Sequence, residues 1–143
     1  MKPSHVLVPL DGSPLARDAL EYALEVHGGR ITVLNVVTSI DTGMSEGSIV
    51  EADEERRDEA RRRAENLVEE AKREAGAEDA DVNVVTETGT PAETVLERVE
   101  KTDVDHVVMG SHGGERSDMV SRLLGTVSTK VVTEAPVSVT VIR

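Results

Sequence analysis

The sequence predicts a doubly wound α/β domain built on a five-stranded parallel sheet with helices on both faces. Three observations carry this. Five short apolar runs alternate along the chain with four stretches of helical periodicity. Each run is apolar at successive positions, which suits strands covered on both faces, as parallel sheets with crossover helices are. The length of 143 residues suits one continuous core, so residues 1–143 are expected to form a single domain.

HVLVPL (5–10) is the first strand. Ser13-Pro14 then offers a cap followed by proline at the first helical position. The helix it opens carries Leu15, Ala16, Ala19, Leu20, Ala23 and Leu24 on one face and stops at Gly28-Gly29. ITVLNVV (31–37) is the second strand, and the turn-rich stretch from Thr38 to Ile49 reads as a loop. A charged helix follows from about Glu51 to Glu74, with an apolar stripe of Ala60, Ala64, Leu67, Val68 and Ala71. Its EERRDEARRRAE segment interleaves both signs and reads as a solvated face. VNVVTE (82–87) is the third strand, and Thr90-Pro91-Ala92-Glu93 has the pattern of a capping box opening the third helix. HVVMG (106–110) is the fourth strand. Val127 to Glu134 is the last helix, with Val127, Val131 and Val132 inward, and VSVTVI (137–142) the fifth strand.

Open sheets of this kind bind ligands outside the carboxyl ends of their strands, where the winding reverses. Two strand exits carry suitable residues: Pro9-Leu10-Asp11-Gly12 after the first and Gly110-Ser111-His112-Gly113-Gly114 after the fourth. A glycine-rich loop leading to a helix start turns backbone N–H groups toward an anion, and the helix adds roughly half a positive charge. Gly125-Thr126, directly before Val127, would add a cap hydroxyl at the far end. The local chemistry therefore favours a phosphate site over glycines that serve turns alone. There is no Walker sequence, no Gly-x-Gly-x-x-Gly and no Gly-x-Ser-x-Gly. Ser13, Ser111 and His112 do not assemble into a nucleophilic triad, and no residue is assigned a catalytic role.

Bulk properties exclude other classes. Twenty-eight acidic residues against sixteen basic give a net charge of −12, which opposes binding to nucleic acid or to anionic membrane. Any phosphate site must then be local and built largely from backbone. The scarcity of lysine and the single aromatic, Tyr22, go with adaptation to a high-salt cytoplasm, where screening over about 3 Å at about 1 M salt tolerates such a charge. The absence of cysteine excludes thiolate metal sites, and His5, His27, His106 and His112 lack ligand-like spacing, so no protein-held metal is expected. No apolar run spans a bilayer and the start lacks a signal-peptide pattern, so a cytoplasmic location is expected.

These residues resemble the universal stress protein family along the whole chain: VLVPLDGS, VLNVV, TGTPAETV and VVMGSHGG…LLGTVSTKVVTEAPVSVTVI. The resemblance implies a Rossmann-like sheet in the order 3-2-1-4-5, a cytosolic stress-response or regulatory role, and a homodimer. It is similar to the ATP-binding branch, whose Gly-x-x-Gly and Gly-Ser/Thr elements match Gly110 to Gly113 and Gly125-Thr126. Between them stand eleven residues, Gly114 to Leu124, two more than that branch has. On this resemblance Asp11 contacts the adenosine with Pro9 and Leu10 beside it, and Val36 lies against the adenine. Met109 and Gly110 approach base and ribose, with His112 in the loop. Gly113, Gly125, Thr126 and Val127 hold the phosphates of ATP, with AMP or ADP as the other candidates. A divalent cation such as Mg2+ would come with the nucleotide. The fifth strand, Val137 to Ile142, would join two protomers at their sheet edges, since a bare apolar edge invites pairing. The alternatives are a family member that binds no nucleotide and acts as a dimeric interaction protein, and a slow ATPase.

Overall fold

The computed structural model describes residues 3–10, 14–37, 46–111 and 126–143. In chain order they form β1 (His5–Leu10), α1 (Pro14–Val26), β2 (Arg30–Val37), α2 (Glu46–Glu74), β3 (Val82–Thr88), α3 (Pro91–Lys101), β4 (His106–Gly110), α4 (Thr126–Glu134) and β5 (Ser138–Ile142). All neighbouring strands pair in parallel in the order β3-β2-β1-β4-β5. The expected sheet and its reversal between β1 and β4 are therefore present, with β3 and β5 at the edges.

Alternation along the strands divides the core in two. Val6, Val8 and Leu10 of β1 and Ile31 and Val33 of β2 face α1 and α2, against Ala19, Leu20, Ala23, Ala64 and Val68. Leu7, Leu34, Val107 and Met109 face the other side, against Val95 and Val99 of α3 and Val131 of α4. Leu7, Leu20 and Leu34 are fully buried, each contributing about 1.5–3 kcal/mol relative to exposure. Tyr22 lies on the outer side of α1 and is 40% exposed.

The ends of the elements show where local signals were sufficient. α2 stops in a Schellman arrangement: Ala77 N–H donates to Lys72 O at 2.8 Å and Gly76 N–H to Arg73 O at 3.1 Å. Gly76 takes φ of 67°, the left-handed turn that glycine adopts without steric penalty. At the amino end of β1, the Asp105 carboxylate accepts N–H groups of Ser4 and His5 at 2.9 to 3.1 Å, tying β1 to the start of β4.

Three expectations are corrected. The helix α2 begins at Glu46 and not near Glu51, so part of the expected loop from Thr38 to Ile49 is helical, and Gly47 falls in its first turn. Thr90 occupies the cap position of α3 but makes no side-chain cap bond; instead Thr94 donates its hydroxyl to the Thr90 carbonyl at 2.7 Å. Val132 is 44% exposed because it follows Val131, which takes the inward position of a short helix.

Candidate functional site

The carboxyl ends of β1, β2 and β4, together with α3 and α4, enclose a cavity of about 110 Å³ on the α3/α4 side of the sheet. Pro9 and Leu10 come from the end of β1, Val36 from β2, Met109 and Gly110 from β4, and Val127 from the first turn of α4. Six residues named from the sequence thus meet at one wall-to-wall slot, at the place where the strand order reverses. Strand alternation explains it: Val36 and Met109 point to the same face from strands on either side of β1. Thr126 opens α4 and is exposed, outside the lining of this cavity. Asp11, His112, Gly113 and Gly125 lie outside the described residues, as does the segment Gly114 to Leu124.

Sequence reasoning missed four contributors: Ala16, Pro91, Val95 and Ser128. Pro91 was legible only as a helix starter, and Ser128 carries no motif. The signal that could have found them is position, since each lies within the first two turns of a helix that starts at the carboxyl edge. No titratable side chain of the described residues lines the slot. It is an apolar recess, smaller than the roughly 300–1,000 Å³ of ordinary ligand pockets. Such walls receive a flat apolar group and leave polar and charged contacts to its mouth.

Gly110 also has a packing reason that the sequence did not show. A Cβ built there would stand 2.8 Å from the Leu15 Cβ and 3.0 Å from its backbone carbon. Glycine here permits the close approach of α1 to β4, while its backbone also lines the slot. The next residue, Ser111, is fully buried and acts as a junction. Its N–H donates to Ile142 O at the end of β5 at 2.9 Å, and its carbonyl accepts the hydroxyl of Ser128 in α4. Its own hydroxyl has no partner among the described residues.

At the amino ends of β1 and β2 a polar cluster appears that spacing did not reveal. Buried His5 places Nδ1 2.6 Å from Asp103 Oδ1 and Nε2 2.7 Å from Thr32 Oγ1. The carboxylate can only accept, so Nδ1–H donates to it, and the threonine hydroxyl can serve Nε2 as either donor or acceptor. The hydrogen bond from His5 holds the Asp103 carboxyl below the usual carboxylate range, with Arg30 adding to the effect. Backbone N–H groups do the same for Asp105.

The family model of the universal stress proteins matches residues 3–143. The chain belongs to the universal stress protein family. A curated relative, the universal stress protein in the QAH/OAS sulfhydrylase 3′ region of Thermus aquaticus, is 31% identical over 141 residues, covering 96% of this chain and 97% of that protein. Among solved structures, UspA of Lactobacillus plantarum superposes with a TM-score of 0.79 at 23% identity, covering 100% of this chain and 99% of that one. A universal stress protein in complex with cAMP gives 0.69 at 20% identity, with coverage of 100% and 99%. An Arabidopsis thaliana family protein with AMP bound gives 0.64 at 22%, covering 98% and 91%. At these identities the structural likenesses speak for the fold. Within the family frame, no helix of the described residues is long and apolar enough to cross a membrane.

Proposed function

We propose that this universal stress protein is a cytosolic regulatory module that binds an adenine nucleotide, with ATP as the leading candidate over AMP and ADP. The observation that carries the reading is the convergence of Pro9, Leu10, Val36, Met109, Gly110 and Val127 on one apolar slot at the reversal point of the sheet. Aliphatic lining of this kind suits contact with an adenine ring. The AMP and cAMP found on two proteins of the same fold support the choice of base. Asp11 would take the adenosine at the mouth, and Gly113, Gly125 and Thr126 would hold phosphate through backbone N–H groups, with His112 beside them. No group of three or more potential metal ligands occurs among the described residues. A Mg2+ ion would accordingly be held by phosphate oxygens and water.

The protein works as a homodimer in this reading, joined by antiparallel contact of two β5 edges, Val137 to Ile142, which would cover an edge that is otherwise a template for pairing. A dimeric interaction protein without nucleotide is the second reading, favoured by the small size of the slot. The test is mass spectrometry of nucleotide released from the denatured protein, followed by calorimetric titration with ATP, ADP and AMP in concentrated KCl. Gly113→Val should abolish binding while the melting temperature holds, because a β-branched side chain obstructs the phosphates. Absence of released nucleotide together with no heat from any of the three would remove the nucleotide reading and leave the second. Thr140→Pro should release monomers on light scattering, since it breaks the edge ladder; a wild type already monomeric at tens of micromolar would refute the dimer.

A further inference from the structure

A second and larger cavity, about 520 Å³, lies on the other face of the sheet, between the carboxyl end of β2 and the middle of α2. Its floor is apolar: Leu10 and Ala16 from the β1/α1 side and Ala60, Ala64 and Leu67 from α2. The stripe is built from alanines where the helix passes the end of the sheet, so the helix stays continuous while space remains beneath it. One turn further on, Val68 and Ala71 are buried and the gap is closed.

The rim differs in chemistry from the floor. Arg56 and Arg63 stand two turns apart on the face of α2 that meets the cavity, with Glu59 between them, and Asn35 closes the sheet side. The Asn35 amide donates to the Ala60 carbonyl at 3.0 Å, which fixes α2 against β2 at the base of the opening. Glu59 approaches Arg63 at 3.6 Å, but the two side chains are 61% and 73% exposed, so the pair is weak and exchangeable. A guanidinium carries five N–H donors, so a carboxylate neighbour leaves others for a ligand. In a chain of net charge −12, two arginines over an apolar recess reverse the local sign.

The geometry points to a second ligand site here, for a small amphipathic anion: an oxyanion head, carboxylate or phosphate, held by Arg56 and Arg63, and an apolar body laid along Ala60, Ala64 and Leu67. The volume falls in the range of small-molecule pockets, unlike that of the slot on the opposite face. Guanidinium groups bind carboxylate and phosphate in paired hydrogen bonds, which sets the head group. The occupant is a free solute, because a chain of net charge −12 is repelled as a whole by an anionic lipid bilayer.

The test is calorimetric titration of the full chain, at one fixed salt concentration, with decanoate, decyl phosphate, decanol and inorganic phosphate. Decanoate and decyl phosphate are expected to bind, with decanol and inorganic phosphate weaker by about tenfold or more. The variant with Arg56→Gln and Arg63→Gln should lose about tenfold for both anions, and Glu59→Gln should gain about threefold. Ala64→Met, which fills the floor and leaves the arginines, should also lose about tenfold. Melting curves of each variant establish that it is folded. Failure of both amphiphiles to bind the wild type, equal affinity for decanol, or a double-glutamine variant within about twofold of wild type would each overturn the site. ATP binding in these variants should be unchanged, which separates this result from the fate of the nucleotide slot.

Discussion

Replacing Gly110 by alanine tests whether that glycine serves packing or ligand access. The added methyl carbon would meet Leu15 Cβ at 2.8 Å and the Leu15 backbone at 3.0 and 3.1 Å. Carbon contacts are relaxed near 3.5–4.0 Å, so α1 has to retreat from β4 by several tenths of an ångström at its first turn. Overpacking of this kind costs about 1–3 kcal/mol. For a chain of this length, about 2 kcal/mol lowers the melting temperature by about 4–8 °C. The measurement is thermal unfolding by circular dichroism without nucleotide, beside Gly28→Ala as control, where a Cβ meets nothing within 4 Å. The control should move by about 0.5 kcal/mol or less. Leu15→Ala should not rescue the variant, because the clashing atoms are the Cβ and backbone that alanine keeps. If Gly110→Ala melts with the wild type and only nucleotide affinity falls, the packing account is wrong and the glycine serves the ligand.

Three other outcomes are expected. Gly76→Ala should cost about 1–2 kcal/mol in denaturant titration, since its φ of 67° is strained for alanine, with Gly76→Asn costing less. Raising KCl from about 0.1 M to about 2 M should raise the melting temperature by screening repulsion among the excess carboxylates; a flat or falling curve would argue against salt adaptation. Lowering pH should remove stability in two stages. Burial depresses the His106 pKa, with His27 adding to this and Asp105 opposing it, so the unfolded chain takes up its proton first and stability falls from about pH 6.5 downward. Asp105 and Asp103 are depressed below the ordinary carboxylate value by their hydrogen bonds, so what they contribute is present above about pH 4 and lost as pH falls through their folded values. His106→Gln should remove the first stage and leave the second; a first stage that survives in this variant would contradict the assignment.

The parallel sheet was legible because β1, β2 and β4 are apolar on both faces, and a crossover helix is the only economical way to join such strands. Their spatial order was not legible in local pattern; it came with the family resemblance, and pairing between β1 and β4 bears it out. The slot residues Val36 and Met109 were named through the family resemblance, and the convergence of strand ends at the reversal point is the physical reason that they meet. Ala16, Val95 and Ser128 escaped because small and aliphatic residues near helix starts look the same whether they line a cavity or a core. Thr90 had the spacing of a capping box, yet its side chain makes no cap bond; its carbonyl accepts both the N–H and the hydroxyl of Thr94. Gly110 was visible as a glycine, but its neighbour Leu15 is distant in sequence, so the reason for it was hidden. The cluster of His5, Thr32 and Asp103 unites residues from three separate segments, which no spacing rule joins.

The lone aromatic residue, Tyr22, on the outer side of α1, has an optical consequence. With no tryptophan or phenylalanine, the protein is almost transparent in the near ultraviolet, and its core contains no chromophore at all. A purine bound at one equivalent would therefore dominate the absorption spectrum of the purified protein, and the height of its band against the peptide absorbance would read occupancy directly. The same transparency means that tyrosine emission, already solvated in the folded state, is a poor witness to unfolding. A tryptophan introduced beside the slot would be the only one in the protein, and excitation beyond the tyrosine band would report from it alone.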